Sequence, residues 1–152
     1  MLRPAAAVMV AVLAALVFTV PARAATHPPP QALAYAYAVA QHGKPFAWGG
    51  LGPYSYDCSG LVYAAYRHAG IVLPRDTYGM VRSRQLERIS RAQARRGDLA
   101  FYGPPGAPEH VAMVDTGNVV FSAYRPGQPA GWSQDSRWWD PDAFYRVAAG
   151  RK

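Results

Sequence analysis

The hydrophobic pattern of the chain has a helical period in its first half and a strand-like period in its second half. Gln31–His42 is rich in alanine and tyrosine and predicts a helix, with Gly43 as the left-handed residue that ends it. A second helix is predicted from Cys58 to about Ala69, with Asp57 as its N-cap and Gly70 after its end. Its apolar positions recur at the spacing of one helical face: Leu61, Val62, Ala65, Tyr66 and Ala69.

Short β-rich segments follow in the second half. Strands are predicted, with a turn at residues 116–118 between the last two, at Asp98–Tyr102, His110–Asp115 and Val119–Tyr124. A last strand is predicted at Ala143–Val147. Helices followed by antiparallel strands indicate an α+β fold, in which N-terminal helices pack on an antiparallel sheet.

An arginine-rich segment, Val81–Arg96, separates the predicted helices from the predicted strands. It contains one acidic residue, Glu87, and six arginines: Arg82, Arg84, Arg88, Arg91, Arg95 and Arg96. We predict a solvated face made of helix and loop, because runs of like charge usually face water. An anion-binding surface is the alternative.

The first 24 residues are typical of an export signal. Arg3 supplies a positive start, Ala5–Val20 is almost wholly apolar, and residues 22–24 form a small-residue cleavage site. The apolar run is shorter than the roughly 20 residues of a membrane span, and Pro21 interrupts it, so we expect cleavage and not a retained anchor. Residues 25–30 then form a proline-rich spacer, residues 31–152 form one domain, and the protein is secreted, either extracellular or in the cell wall.

The basic charge of the chain indicates which classes of molecule it is expected to bind. The sequence has a net charge of +7, and cleavage after Ala24 removes Arg3 and Arg23 and leaves +5. Such a surface suits polyanions, namely nucleic acid, acidic lipid or an anionic cell wall. Export makes nucleic acid the least expected of these, and the other explanation of the charge is solubility without a particular partner.

Cys58 is the single cysteine of the sequence, so its thiol cannot form an internal disulfide. Directly after the N-cap Asp57, its sulfur faces the positive end of a predicted helix, where the dipole and free N–H groups lower a thiol pKa. Its own N–H points at a developing oxyanion, and Ser59 and Gly60 keep the turn small. These neighbours favour a nucleophile over the alternative, a small buried apolar cysteine.

A cysteine nucleophile needs a base, and the sequence offers four histidines. His110 starts a predicted strand and so lies on a different element from Cys58, as the base of a catalytic pair usually does; a structural histidine is the alternative. On the neighbouring strand, Ser122 is the polar residue placed to orient the imidazole. Surface or capping roles are expected for His27, His42 and His68. One cysteine and scattered histidines make no metal-ligand set, so we expect no metal or other cofactor.

Five short motifs follow one another along the chain: FAWGG at 46–50, DCSGLV at 57–62, LPR at 73–75, GDL at 97–99 and HV at 110–111. In order and spacing they resemble the NlpC family of bacterial cell-wall endopeptidases. The resemblance covers about residues 31–147. It implies a compact papain-like α+β domain that hydrolyses peptide bonds in peptidoglycan stems, typically between D-glutamate and a diamino acid.

Within this resemblance, Cys58 matches the family's nucleophile and His110 matches its base. Ser122 is a departure, because the family's third catalytic residue is usually His, Asn, Gln or Glu. Two further departures are Phe46, where a site-lining tyrosine is usual, and Met80, where a glutamine is common. The resemblance also implies substrate contacts for Asp57, Ser59, Phe46, Trp48 and Arg75.

The sequence therefore predicts a secreted, monomeric cysteine endopeptidase of bacterial peptidoglycan, with no nucleic-acid partner and no stable membrane insertion after signal cleavage. The departures leave two alternatives open: a catalytically weak or inactive wall-binding protein of the same fold, and an amidase or acyltransferase that uses the same Cys–His pair. The C-terminal tryptophans are expected to pack in the core or a lid or, alternatively, to form a wall of the cleft: Trp132, Trp138 and Trp139.

Overall fold

The computed structural model describes residues 27–137 and 139–148. The predicted export signal, residues 1–24, lies outside the described residues, and so does Trp138. Within the described ranges, no helix is long and apolar enough to cross a membrane.

The sequence predicts two helices, and the described residues form three α-helices, α1 (Pro30–Val39), α2 (Cys58–His68) and α3 (Thr77–Arg82), and a 3₁₀ turn at Arg91–Gln93. Both predicted helices are confirmed. α1 starts at Pro30, the last residue of the predicted spacer, because the missing N–H of proline costs nothing in the first turn of a helix. It ends at Val39 and not at His42, and a turn then leads to Gly43 at φ 83°.

Six strands form one antiparallel sheet with the order β1-β6-β2-β3-β4-β5. They are β1 (Leu86–Ile89), β2 (Leu99–Tyr102), β3 (His110–Thr116), β4 (Val119–Ser122), β5 (Gly131–Gln134) and β6 (Ala143–Val147). The predicted strands are confirmed as β2, β3, β4 and β6, and the last of these has the predicted bounds. The predicted α+β arrangement, with N-terminal helices on an antiparallel sheet, is also confirmed.

The two outer strands, β1 and β5, are absent from the prediction. β1 lies in the arginine-rich segment that was expected to be helix and loop, so that expectation is wrong for residues 86–89. Every residue of both strands is partly or fully exposed, and neither strand shows the alternation of buried and exposed positions by which a half-buried strand is recognised.

Alternate residues of the strands build two apolar layers, one on each face of the sheet. The larger layer packs against the helices and includes Leu99, Phe101, Val111, Met113, Phe121 and Val147. The smaller layer lies on the opposite face and includes Ala100, Tyr102, Ala112, Val114, Val120 and Phe144. α2 packs against both α1 and β3, which fixes the start of α2 relative to the sheet.

Antiparallel pairing places three residues at the same end of the sheet. Tyr102 ends β2, His110 starts β3 and is its partner in the register, and Ser122 ends β4. The candidate base and its predicted orienting residue therefore lie at one edge of the fold, on neighbouring strands.

The start of α2 is covered by the loop at residues 47–52, and the two segments touch at a pair of glycines. A Cβ on Gly60 would lie 1.9 Å from the carbonyl oxygen of Gly50 and 2.8 Å from Asp57 Oδ1. Only glycine leaves room for this contact, which explains a residue of poor helix propensity inside α2. The close approach holds the glycine-rich loop over the helical turn that carries Cys58.

Gly60→Ala should lower the free energy of unfolding by about 2–4 kcal/mol, because the clash with a backbone oxygen outweighs the roughly 1 kcal/mol that alanine adds in helix propensity. Gly131→Ala is the matched control, since its Cβ would have no neighbour closer than 3.8 Å. Urea unfolding followed by tryptophan fluorescence measures both variants. A Gly60→Ala protein as stable as the control contradicts the close contact.

Candidate active site

Cys58 is the first residue of α2 and is half-buried. The backbone N–H of Val111 in β3 faces its sulfur, and the N–H groups of Cys58 and Ser59 face the sulfur from the start of the helix. Three backbone donors therefore surround the thiol. Val111 directly follows His110, so this contact brings the candidate nucleophile next to the strand residue that carries the candidate base.

The pKa of Cys58 nevertheless lies above the ordinary thiol value. Burial is the largest cause, because it disfavours the charged thiolate, and the negative charge of Asp57 adds to the rise. The backbone donors of Val111, Ser59 and Cys58 itself lower the pKa, but by less. The prediction of a lowered thiol pKa is therefore wrong. At neutral pH the resting group is a thiol, which needs a base when it attacks.

Asp57 joins three segments at the start of α2. Its Oδ1 caps the helix by accepting the N–H of Gly60 at 2.7 Å, as predicted. Its Oδ2 accepts the N–H of Gly49 at 2.8 Å and a bond from Arg75 Nη2 at 2.7 Å. Arg75 also donates from Nη1 to Ser59 Oγ at 2.8 Å. The carboxylate thus links the covering loop, the helix and the segment after the helix into one unit.

This network involves three of the five residues to which the resemblance assigns substrate contacts: Asp57, Ser59 and Arg75. Their polar atoms bond to one another and to the loop, and Asp57 and Ser59 are buried. In the structure their visible role is to fix the N-terminal turn of α2. A substrate contact by any of them stays a prediction.

Of the other two residues of that set, Trp48 lies on the covering loop and Phe46 directly precedes it. Phe46 pairs with Tyr56 in an isolated bridge, and its ring meets the Trp48 ring edge-on with centroids 4.9 Å apart. Trp48 is 80% exposed, and Tyr54, which follows the loop, is 85% exposed, so two aromatic side chains of this region face solvent. The binding of substrate by Phe46 and Trp48 stays a prediction.

His110, the first residue of β3, is buried, with 5% of its surface exposed. Burial lowers its pKa to about 4, so the imidazole is neutral at neutral pH. A neutral imidazole has a free nitrogen lone pair and can accept the proton of a thiol. The candidate pair is therefore an uncharged thiol and an uncharged imidazole at rest, and not a thiolate–imidazolium pair.

Three aromatic rings surround the His110 imidazole. Its centroid lies 5.4 Å from that of Tyr102, 5.2 Å from that of Tyr124 and 5.9 Å from that of Trp139. For Trp139, packing in the core, a lid or a cleft wall is predicted, and its ring packs against the smaller apolar layer of the sheet. The two tyrosines were missed. The available signal was the strand pairing, which places Tyr102 directly opposite His110.

Ser122 ends β4 and is buried. The pairing of Val114 with Val120 puts Ser122 on the same face of the sheet as His110, because side chains alternate along each strand. In the described parts of the chain, no hydrogen bond joins the Ser122 hydroxyl to the imidazole. Ser122 and Tyr124 both line a pocket of about 410 Å³. Orientation of the base by Ser122 stays a prediction.

The remaining predicted residues lie in expected environments. Met80 is completely buried in the helix-side core, where an apolar side chain fits. Trp132 also packs on that side, with its ring 5.0 Å from Phe121.

The three histidines with expected surface roles are all exposed: His27, His42 and His68. Among residues 27–137 and 139–148, no group of three or more acidic, histidine or cysteine side chains is arranged to hold a metal.

Comparison with known proteins points to one family. The sequence model of the NlpC/P60 family matches residues 43–141. The murein DD-endopeptidase MepH of Escherichia coli is 37% identical over 92 residues, which are 58% of this chain and 34% of that protein. A gamma-D-glutamyl-L-lysine dipeptidyl-peptidase of Bacillus cereus is 33% identical over 84 residues, which are 53% of this chain and 25% of that protein.

A solved structure gives the same result for the fold. The crystal structure of the NlpC/p60 domain of the peptidoglycan hydrolase SagA matches 77% of this chain and 98% of its own, at a TM-score of 0.69 and 31% identity. The chain spans only 16% to 34% of the length of three curated relatives that it matches. The similarity therefore concerns one domain of those larger proteins.

Asp57→Ala should lower the free energy of unfolding by about 2–4 kcal/mol, because it removes a helix cap, the carboxylate partner of Arg75 and the acceptor of the Gly49 N–H. Asp76→Ala is the matched control, since Asp76 caps α3 by accepting the N–H of Gly79 at 2.8 Å in an exposed position. The control should lose about 1 kcal/mol. Denaturant unfolding measures both losses, and equal losses contradict the joining role of Asp57.

Proposed function

Because the chain belongs to the NlpC/P60 family, we propose that it is a secreted cysteine endopeptidase that hydrolyses amide bonds in the stem peptides of bacterial peptidoglycan. The observation that carries this proposal is the backbone donor that Val111 directs at the Cys58 sulfur, because Val111 directly follows the candidate base His110 in β3. The export pattern of residues 1–24 and the basic charge support action on an anionic cell wall.

The first half of the reaction acylates the enzyme. The Cys58 sulfur attacks the carbonyl carbon of the scissile amide while its proton passes to the free nitrogen of the His110 imidazole. The carbonyl oxygen takes the negative charge, and the backbone N–H of Cys58 at the positive end of α2 stabilises it. The C–N bond then breaks as the imidazolium returns the proton to the leaving amine, and a thioester remains on Cys58.

The second half releases the acyl group. His110, again neutral, removes a proton from a water molecule as the water oxygen attacks the thioester carbon. The C–S bond breaks, the thiol recovers its proton from the imidazolium, and a carboxylic acid leaves. The site thus returns to the uncharged pair that burial favours.

For the bond, we propose the amide between D-glutamate and the diamino acid of the stem. The Bacillus cereus relative carries a name for cleavage at such a position, whereas the Escherichia coli relative is named for a bond of another type. Bond choice therefore has to be measured on this protein.

Digestion of purified peptidoglycan, read by mass spectrometry, tests the function. The wild-type protein should release stem fragments that begin with the diamino acid, and Cys58→Ala and His110→Ala should each release none above background. Release of intact stems from the glycan indicates an amidase. Sedimentation with the polymer without any fragment indicates a wall-binding protein, and full activity of Cys58→Ala places the nucleophile elsewhere.

The rate of cleavage should fall on the acid side near pH 4. The lowered pKa of His110 means that its imidazole is neutral above about pH 4 and is protonated, and so unable to act as a base, below it. Initial rates between pH 3 and pH 8, with tryptophan fluorescence to confirm folding at each pH, give the profile. An acid limb near the ordinary histidine value of about 6.5 contradicts a buried, neutral base.

A further inference from the structure

The His110 imidazole is enclosed by rings instead of being held by a polar partner. Within the described ranges, His110 and the predicted orienter Ser122 are both buried, and no side-chain hydrogen bond to the imidazole is present, from Ser122 or from any other residue. Its close neighbours are the rings of Tyr102, Tyr124 and Trp139. A catalytic base has to keep one nitrogen directed at the nucleophile, so something other than a hydrogen bond restricts the rotation of this ring.

Trp139 contacts the imidazole and both of the tyrosine rings beside it. Its ring stacks on Tyr102 with centroids 4.9 Å apart and an interplanar angle of 12°, and it meets Tyr124 at 5.0 Å and 62°. It also lies at a tilt of 46° to the imidazole. Aromatic pairs favour such offset and edge contacts, so each ring limits the orientation of the next.

We propose that Trp139 is a positioning residue, which with Tyr102 and Tyr124 holds the His110 imidazole toward Cys58 and takes the role that the family gives to a polar third residue. This inference rests on the proposed cysteine peptidase function. It deepens that function, because it names what orients the base when residue 122 is a serine.

The enclosing rings are themselves fixed at their outer ends. Tyr102 donates from its hydroxyl to Asp135 Oδ1 at 2.8 Å, and Arg91 binds the same carboxylate at 3.4 Å. The backbone of Trp139 forms two hydrogen bonds with that of Ser136, at 2.9 and 3.0 Å. Because hydrogen bonds anchor the hydroxyl of one ring and the backbone of another, the packing against the imidazole has little freedom to rearrange.

The charged and titratable groups around the base come from several elements. The phenols of Tyr102 and Tyr124 carry the flanking rings, and the guanidinium of Arg125 lies over the Tyr124 ring at 5.2 Å. Asp135 is buried behind Tyr102, and burial raises the pKa of its carboxyl group. The Cys58 thiol faces the neighbouring residue Val111. None of these groups forms an ion pair with the imidazole in the described structure, so exclusion of water by the rings sets its protonation.

Variants of Trp139 separate positioning from simple packing. Trp139→Ala opens the enclosure, so water should reach His110 and its pKa should rise by at least about one unit toward the ordinary 6.5. Trp139→Phe keeps an aromatic ring and should retain most of the wild-type value. Trp132→Ala is the matched control, because this tryptophan packs near Phe121 on the helix-side layer and should leave His110 unchanged.

Titration of the His110 ring by NMR gives the first readout, with the resonance assigned by its loss in His110→Gln. This measurement does not depend on any activity, so it remains informative if the protein cleaves no peptidoglycan. On a cleaved stem peptide, Trp139→Ala should lower kcat about tenfold or more with KM changed less than about threefold, and Trp139→Phe should restore most of kcat.

The outcomes distinguish the two proposals. If the His110 pKa rises in Trp139→Ala but the wild-type protein cleaves no peptidoglycan, the peptidase function is overturned and the enclosure of His110 by Trp139 is supported. An unshifted titration in a folded Trp139→Ala protein, or equal losses of kcat in Trp139→Ala and Trp132→Ala, overturns the positioning role. Thermal unfolding of each variant confirms that the compared proteins are folded.

Discussion

The candidate site depends on the close approach of the Gly50 carbonyl to Gly60, which lets a glycine-rich loop lie directly on the first turn of α2. Once the loop is in place, Asp57 can cap the helix and bind the loop with the same carboxylate. Arg75, from the segment after α2, donates a further hydrogen bond to that carboxylate. The position of Cys58 is therefore determined by backbone packing and by one partly buried ion pair.

Burial then decides the charge of the two reacting groups. A helix N-terminus stabilises a thiolate, but desolvation acts in the opposite direction on the same sulfur and is larger here. Desolvation also acts on His110 and removes its proton at neutral pH. Both effects favour the uncharged form, so the resting thiol keeps its proton and the resting imidazole lacks one.

Local signals were sufficient for α2, its N-cap and β6, because capping, helical spacing and residue type are properties of a short stretch of sequence. β1 and β5 were missed, since outer strands bury too little to show a pattern. The direction of the Cys58 pKa was wrong because desolvation depends on the whole fold, which no spacing of residues reveals. The ring enclosure of His110 likewise joins β2, the segment after β4 and Trp139, which lie far apart in the sequence.

A serine at position 122 is easier to understand once the enclosure is considered. A carboxylate or amide orienter acts partly by accepting a hydrogen bond from the charged imidazolium, which a hydroxyl does less well. The aromatic rings make the resting base neutral by excluding water, yet their faces can also stabilise a cation that forms between them. Because the thiol pKa is raised and the imidazole pKa is lowered, complete proton transfer before attack is unfavourable. The proton therefore has to move while the C–S bond forms, and this requirement makes a fixed imidazole more important than a strongly basic one.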